Sequence, residues 1–463
     1  MAKPTSPGTS RKQRAPRGGQ HRQDGRPPRG SVQTATLCDL LASTALKLCL
    51  GQDGVRMAFA PVSPTLPSDN RLTSILDSII ARVVEKKIQE RQVGGELSPP
   101  SPPGPPGPPA SHCILAPKGL LWLHDPSHTS NYKLFQEHWQ RGQPVLVSGL
   151  QKRLEGRLWG PESFCPARGE QEVEVTNLRV PGRRVRMSSR EFWDGFTAGA
   201  ASSELEQGGG DLLKLETGFG DMELCRATNL SASLPLPEYC GPTGHLNLAT
   251  HLRGQRAQHW LRPRVCVAYG VHPQDRSIGT KNLTVEAADS ISILVHVEEG
   301  LPGRQDLLLR ADVDEMDPEL QGRLWDGASR PGALWHIFQA KDAGRIRDFL
   351  EKAYEDQNQE GAAPTEPPGR YLDPSLRRRL REECGVSGWT LLQFLGDAVL
   401  VPAGAPHQVQ TLSSTISVEQ RFLSPENAAH LRDQSPHPQL GAQLDGVIFS
   451  AVREALGVLR GCR

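Results

Sequence analysis

Residues 98–109 read Ser-Pro-Pro-Ser-Pro-Pro-Gly-Pro-Pro-Gly-Pro-Pro. Each proline fixes its own φ and offers no backbone N–H, so this run can enter neither a helix nor a sheet interior. It reads as a semi-rigid polyproline II spacer. A single hydrophobic core cannot be threaded through it, so what the chain folds into is decided separately on its two sides.

Downstream, from about Leu120, the chain reads as one mixed globular unit. Residues 134–148 predict a helix followed by a short apolar strand. Residues 265–270, 282–297, 390–401 and 415–421 are rich in β-branched residues and punctuated by Gly, Asp and Pro, which predicts strands. Residues 342–357 and 374–384 predict helical insertions, and 442–459 a closing amphipathic helix. Many short strands decorated by helices favour a barrel or jelly roll over a doubly wound sheet.

Upstream, residues 36–50 predict a short helix, with Thr36 as N-cap and Gly51 just past its end. Residues 69–91 predict a longer one, since Leu72, Ile75, Leu76, Ile79, Ile80, Val83 and Ile88 recur at helical spacing. Residues 1–30 hold eight basic residues against Asp24 alone, a net +7, leaving −6 for the rest of a chain whose total is +1. So little apolar surface predicts disorder. Such an arm serves either as a nuclear-import or nucleic-acid patch or simply as a solvated tail.

No run approaches the roughly 20 apolar residues of a membrane span. The best, Leu37 to Leu50, is broken by Asp39 and Lys47, and no apolar leader follows Met1. The nine cysteines are odd in number and form no C-x-x-C pair, so a reducing compartment is expected.

The segment most suggestive of chemistry is Gly396–Val409: a strand, a Pro/Gly turn, then His407 opening a second strand, placed at a barrel mouth. Earlier, Thr284 and Glu286 fall on one strand face by the period of two. A facial-triad iron site wants His-x-Asp/Glu on one strand and a distant His on another.

With residues 331–336 (PGALWH) and 371–377 (YLDPSLR) between them, these segments resemble the JmjC proteins of the lysine-demethylase-3/Hairless branch. Residues 37–41, 57–61, 76–80 and 135–139 match as well, so the resemblance runs over about residues 36–460 and is to the C-terminal part of a longer protein. It implies a mainly β fold with helical insertions: a double-stranded β-helix, or cupin-like jelly roll, preceded by short helices and a disordered arm. It divides the chain into a basic arm (1–35), a helical receptor-interaction segment (36–93), a Pro-rich linker (94–117), an N-terminal subdomain (118–222), the JmjC domain (223–437) and a C-terminal helix (438–463). An upstream Cys-rich zinc finger of such proteins is expected to lie before this chain begins, as in a truncated, alternative or partial form.

The family's enzymes bind Fe(II) and 2-oxoglutarate and oxidise N-methyl groups on histone lysines, in this branch mono- and dimethylated lysine 9 of histone H3. Carried over by position, the metal ligands are Thr284, Glu286 and His407. Active members hold His where this chain has Thr284, and a neutral hydroxyl is a poor ligand for Fe(II). A second departure concerns the lysine that usually receives the far carboxylate of 2-oxoglutarate. No Lys lies between Lys281 and Lys341, leaving Arg304 or Arg310 as substitutes.

Leu37, Leu40 and Leu41 form an LxxLL motif, and Leu76, Ile79, Ile80 and Val84 fit the corepressor-helix pattern. Anchors at i, i+3 and i+4 share one helix stripe and can fill a groove. Such stripes more commonly pack on their own domain. Their place outside the β-rich unit and the resemblance both favour docking to nuclear-receptor ligand-binding domains. The expected role is a nuclear transcriptional corepressor and chromatin regulator. The expected partners are the histone H3 tail and other corepressors or histone deacetylases. The alternative to a demethylase is a catalytically dead scaffold.

Overall fold

The computed structural model describes residues 46–51, 54–59 and 111–461, apart from 165–170, 181, 202–210, 219–223, 255–260, 300–308, 310–311, 327–330, 358–369 and 435–437. The anchors Leu37, Leu40, Leu41, Leu76, Ile79, Ile80 and Val84, the helix expected over 69–91 and the Pro-rich run all lie outside these residues.

The chain divides into two units, Met1–Ser78 and Ile79–Arg463. In the first, β1 (Leu46–Gly51) pairs antiparallel with β2 (Gly54–Phe59), Gly51 opposite Gly54. This corrects the helix expected over 36–50 at residues 46–50; residues 36–45 lie outside the described residues. The reason is visible in the alternation Leu46-Lys47-Leu48-Cys49-Leu50 and Val55-Arg56-Met57-Ala58-Phe59, with two residues between the closing glycines.

The second unit begins with β3 (His112–Leu115), β4 (Leu120–Leu123), β5 (Val145–Val147), β6 (Glu172–Asn177), β7 (Arg184–Ser188), β8 (Leu213–Gly218) and β9 (Arg264–Ala268). It continues with β10 (Lys281–Thr284), β11 (Asp289–Val297), β12 (Pro331–Ile337), β13 (Trp389–Phe394), β14 (Ala398–Val401), β15 (His407–Thr411) and β16 (Thr415–Phe422). A ten-stranded sheet runs in the order β3-β4-β5-β14-β11-β16-β9-β8-β6-β7, and a four-stranded sheet in the order β10-β15-β12-β13. This is the jelly-roll, cupin-like architecture that the sequence pattern anticipates.

Alternation within the strands assigns each face. On β11, Ile291, Ile293 and Val295 enter the core on the outer side of the large sheet, joined by Ile416, Val418 and Phe422 of β16. The helix Asn131–Trp139 covers that side, its Phe135 and Trp139 one turn apart and stacked at 4.7 Å. Each such buried aromatic contributes roughly 1.5–3 kcal/mol. The Trp139 indole N–H donates to Ser424 Oγ at 3.0 Å, which satisfies the one polar atom this burial would strand.

A second core fills the space between the sheets, where Trp335, Ile337 and Val409 of the small sheet meet Leu146, Val399 and Val401 of the large one. The predicted helices appear as Ala343–Gln357, Pro374–Cys384 and Pro438–Gly461. The second starts as its sequence dictates: Asp373 accepts from the Leu376 N–H at 2.9 Å and Pro374 follows, while Gly385 closes it at φ 63°.

Candidate functional site

His407 opens β15 after the turn that the sequence indicates. Gly404 occupies the left-handed region at φ 79°, and a Cβ there would meet the His430 ring at 2.7 Å. The turn is pinned by Asp289, whose carboxylate accepts from the Ala403 N–H (2.8 Å), the Ser424 N–H (2.7 Å) and the Asn427 amide (2.8 Å). His407 is buried between the sheets and stacks on Trp335, with ring centroids 6.2 Å apart. Its Nδ1 donates to the Ala405 carbonyl at 2.9 Å. Its Nε2 is buried and has no hydrogen-bond partner among the described residues. Burial and the charge of Lys281 push the imidazole down to about 4, so it is neutral at neutral pH.

Thr284 lies directly opposite His407 in the β10–β15 pair. Glu286 does not share its strand, because β10 ends at Thr284. This corrects the expectation that period two sets both side chains on one strand face. Glu286 is instead fixed by its backbone, since its carbonyl accepts from the Gly404 N–H at 2.8 Å. Thr284 and Glu286 thus both approach His407, by different means.

The carboxylate of Glu286 is already engaged. Arg421 donates to its Oε2 from Nε at 3.2 Å and from Nη2 at 3.0 Å. Lys281 Nζ lies 3.8 Å from its Oε1. The same ammonium sits 3.3 Å from both carboxylate oxygens of Glu419. Lys281, Glu419 and Glu286 are also charges that act on His407. Burial alone would raise the Glu419 carboxyl, but Lys281, His407 and Arg421 outweigh it and hold the group at about 2.

Sequence reasoning did not single out Lys281, Glu419 or Arg421. For two of them a signal existed. In Thr415–Phe422 the residues Ser417, Glu419 and Arg421 alternate with Ile416, Val418 and Gln420. On a strand with neighbours on both sides, the charged face must meet partners.

Residues 329–422 match the JmjC domain family, described as a hydroxylase domain. The chain carries a JmjC domain. It is 47% identical to the lysine-specific demethylase hairless of Mus musculus over 447 residues, 93% of this chain and 37% of that protein. To the hairless protein of Homo sapiens it is 48% identical over 449 residues, with the same coverage. To lysine-specific demethylase 3A of Gallus gallus it is 38% identical over 422 residues, 85% of this chain and 32% of that protein. The chain therefore spans about a third of the length of the curated relatives it matches.

JmjC proteins generally use Fe(II) and 2-oxoglutarate, and the donor set here can be tested against that. His407 fits, since its Nδ1 is anchored to a carbonyl and its Nε2 is left as a buried lone pair. The remainder does not fit. Thr284 offers a neutral hydroxyl, and Glu286 is taken by two cations. Two carboxylates, two cations and a neutral imidazole already sum to zero. A unit charge held about 4 Å from an ammonium costs about 4 kcal/mol at an effective dielectric of 20, and a dication about twice that. The half-buried cations Lys281 and Arg421 are likewise paired rather than open to a carboxylate ligand. Arg304 and Arg310 lie outside the described residues.

A second cluster lies on the other face of the small sheet. Asp312, Glu315 and His336 bring their ligand atoms within 4.8 Å of one another, beside a cavity of about 230 Å³. Arg377 hydrogen-bonds Asp312, and Arg381 hydrogen-bonds Glu315. His336 Nε2 lies 3.0 Å from Asp312 and its Nδ1 3.3 Å from the Gln408 amide. Burial and Arg377 hold His336 below its ordinary range. Against burial, His336 and Arg377 hold Asp312 below the ordinary carboxylate range. The arginines already neutralise these carboxylates, so the cluster reads as a clamp between the small sheet and the helix Pro374–Cys384.

Proposed function

We propose that this chain works in chromatin regulation as a nuclear corepressor whose JmjC barrel is a metal-free scaffold. The observation that carries the reading is Glu286. The one carboxylate in ligand position is spoken for by Arg421 and Lys281, opposite a threonine where an imidazole is needed. The similarity to hairless and lysine-demethylase-3 proteins supports chromatin as the setting. In this reading the barrel presents its surface to the histone H3 tail and to other corepressors or histone deacetylases. Leu37, Leu40, Leu41, Leu76, Ile79, Ile80 and Val84 dock nuclear-receptor ligand-binding domains.

A second reading is supported by the free Nε2 of His407 and by the word demethylase in the relatives' names. It is an Fe(II)- and 2-oxoglutarate-dependent demethylase of mono- and dimethylated lysine 9 of histone H3. One experiment separates the two. Purified protein is analysed for bound iron and assayed for succinate with methylated H3 peptides. The scaffold reading expects neither, and turnover with stoichiometric iron refutes it. For docking, alanine at Leu76, Ile79 and Ile80 is expected to abolish receptor binding in a pull-down while the protein stays folded. Retained binding removes that part of the reading.

A further inference from the structure

Residues directly opposed across an antiparallel pair project on the same side of the sheet. In the β10–β15 pair, Thr284 opposes His407 and Lys281 opposes Val409. His407 and Val409 both face the space between the sheets. Two positions separate Val409 from His407, but three separate Lys281 from Thr284, and the register shifts between them. In a regular strand, residues three apart point to opposite faces, which would send the Lys281 side chain outside. The extra residue turns it inward.

Once inside, the ammonium reaches across the barrel. It meets both oxygens of Glu419 on β16 of the large sheet, and Glu286 beside the small sheet. On β11, the residues paired with Arg421 and Glu419 are Ser290 and Ser292, small enough to leave this face to the charges. We infer that the Lys281 ammonium, beside Arg421, is a resident cation of the barrel, turned inward by the β10 bulge and joining the two sheets in the place where a JmjC centre would hold a metal ion. This deepens the scaffold reading and rests on it. Thr284 removes an imidazole from the ligand set, whereas Lys281 neutralises the carboxylates without any metal.

The test uses the full chain and Mn(II) alone as the probe, with bound metal read by electron paramagnetic resonance. Wild type and Thr284→His are expected to take up no stoichiometric Mn(II). The double variant T284H/K281M, left with an unbalanced carboxylate, is expected to bind one equivalent about 10- to 100-fold more tightly than T284H. A folded double variant that binds no better than T284H overturns the role of Lys281 and leaves the metal-free reading standing. Wild type taking one equivalent overturns both. Should the double variant fail to fold, Lys281→Met, Glu419→Gln and their combination are unfolded in urea. The combination is expected to lose less stability than the two singles together, and simple additivity overturns the inference.

Discussion

Glu419→Gln removes a charge from the barrel while keeping the side chain's shape. Folding moves this carboxyl from an ordinary 4.5 to about 2. At about 1.4 kcal/mol per pH unit, the difference is worth about 3 kcal/mol at pH 7. The sign follows from the depressed folded value. The contribution is complete well above pH 4.5, falls as pH drops toward 2, and amounts to about 1.4 kcal/mol at pH 3. Lys281 keeps Glu286 at 3.8 Å, so the variant loses one partner of the ammonium and not both. The assay is urea unfolding of wild type and variant at pH 7, 5 and 3, followed by tryptophan fluorescence. The stability gap is expected to shrink by about half from pH 7 to pH 3. A gap below about 1 kcal/mol at pH 7, the level of an exposed ion pair, refutes the reasoning from this half-buried pair. So does a gap that stays constant with pH.

Three further outcomes follow from named contacts. Gly404→Ala forces a Cβ to 2.7 Å from the His430 ring at a left-handed φ, and is expected to cost about 1–2 kcal/mol or more in urea unfolding. Arg377→Ala leaves Asp312 buried without its guanidinium and is expected to cost about 3–5 kcal/mol, read as a lowered melting temperature in calorimetry. Burial holds the Cys266 thiol up at about 11, while Cys225 is exposed. In the native protein at pH 7, Cys225 is expected to be alkylated faster than Cys266, as peptide mass mapping over time will show.

Much of the fold was legible because it rests on local pattern. The strand Thr415–Phe422 shows its alternation, the helix Pro374–Cys384 shows both caps, and the Pro/Gly turn announces His407. The hairpin Leu46–Phe59 was misread as part of a helix, because leucine and alanine flank it on the N-terminal side and helical propensity competes there with the two-residue period. The placement of Glu286 was not legible. The period-two argument assumes a strand that continues, whereas β10 stops at Thr284 and the Gly404–Glu286 backbone bond takes over.

Lys281 shows the limit more sharply. Its sequence neighbours, Thr280 and Asn282, carry no mark of a bulge, and nothing local distinguishes a lysine turned inward from one in water. What decides its direction is the register against β15, with Thr284 fixed opposite His407 and Lys281 opposite Val409. Motif inheritance can therefore locate a ligand position and miss the residue that occupies its electrostatic role. Thr284 alone leaves a weakened metal centre, still open to a cation. Thr284 together with an inward Lys281 makes a centre that is neutral by construction. A cation entering it would have to displace an ammonium held at 3.3 Å by both oxygens of Glu419. Restoring an imidazole at position 284 is then insufficient by itself, because the obstacle is a charge that the backbone register delivers and not only a ligand that is missing.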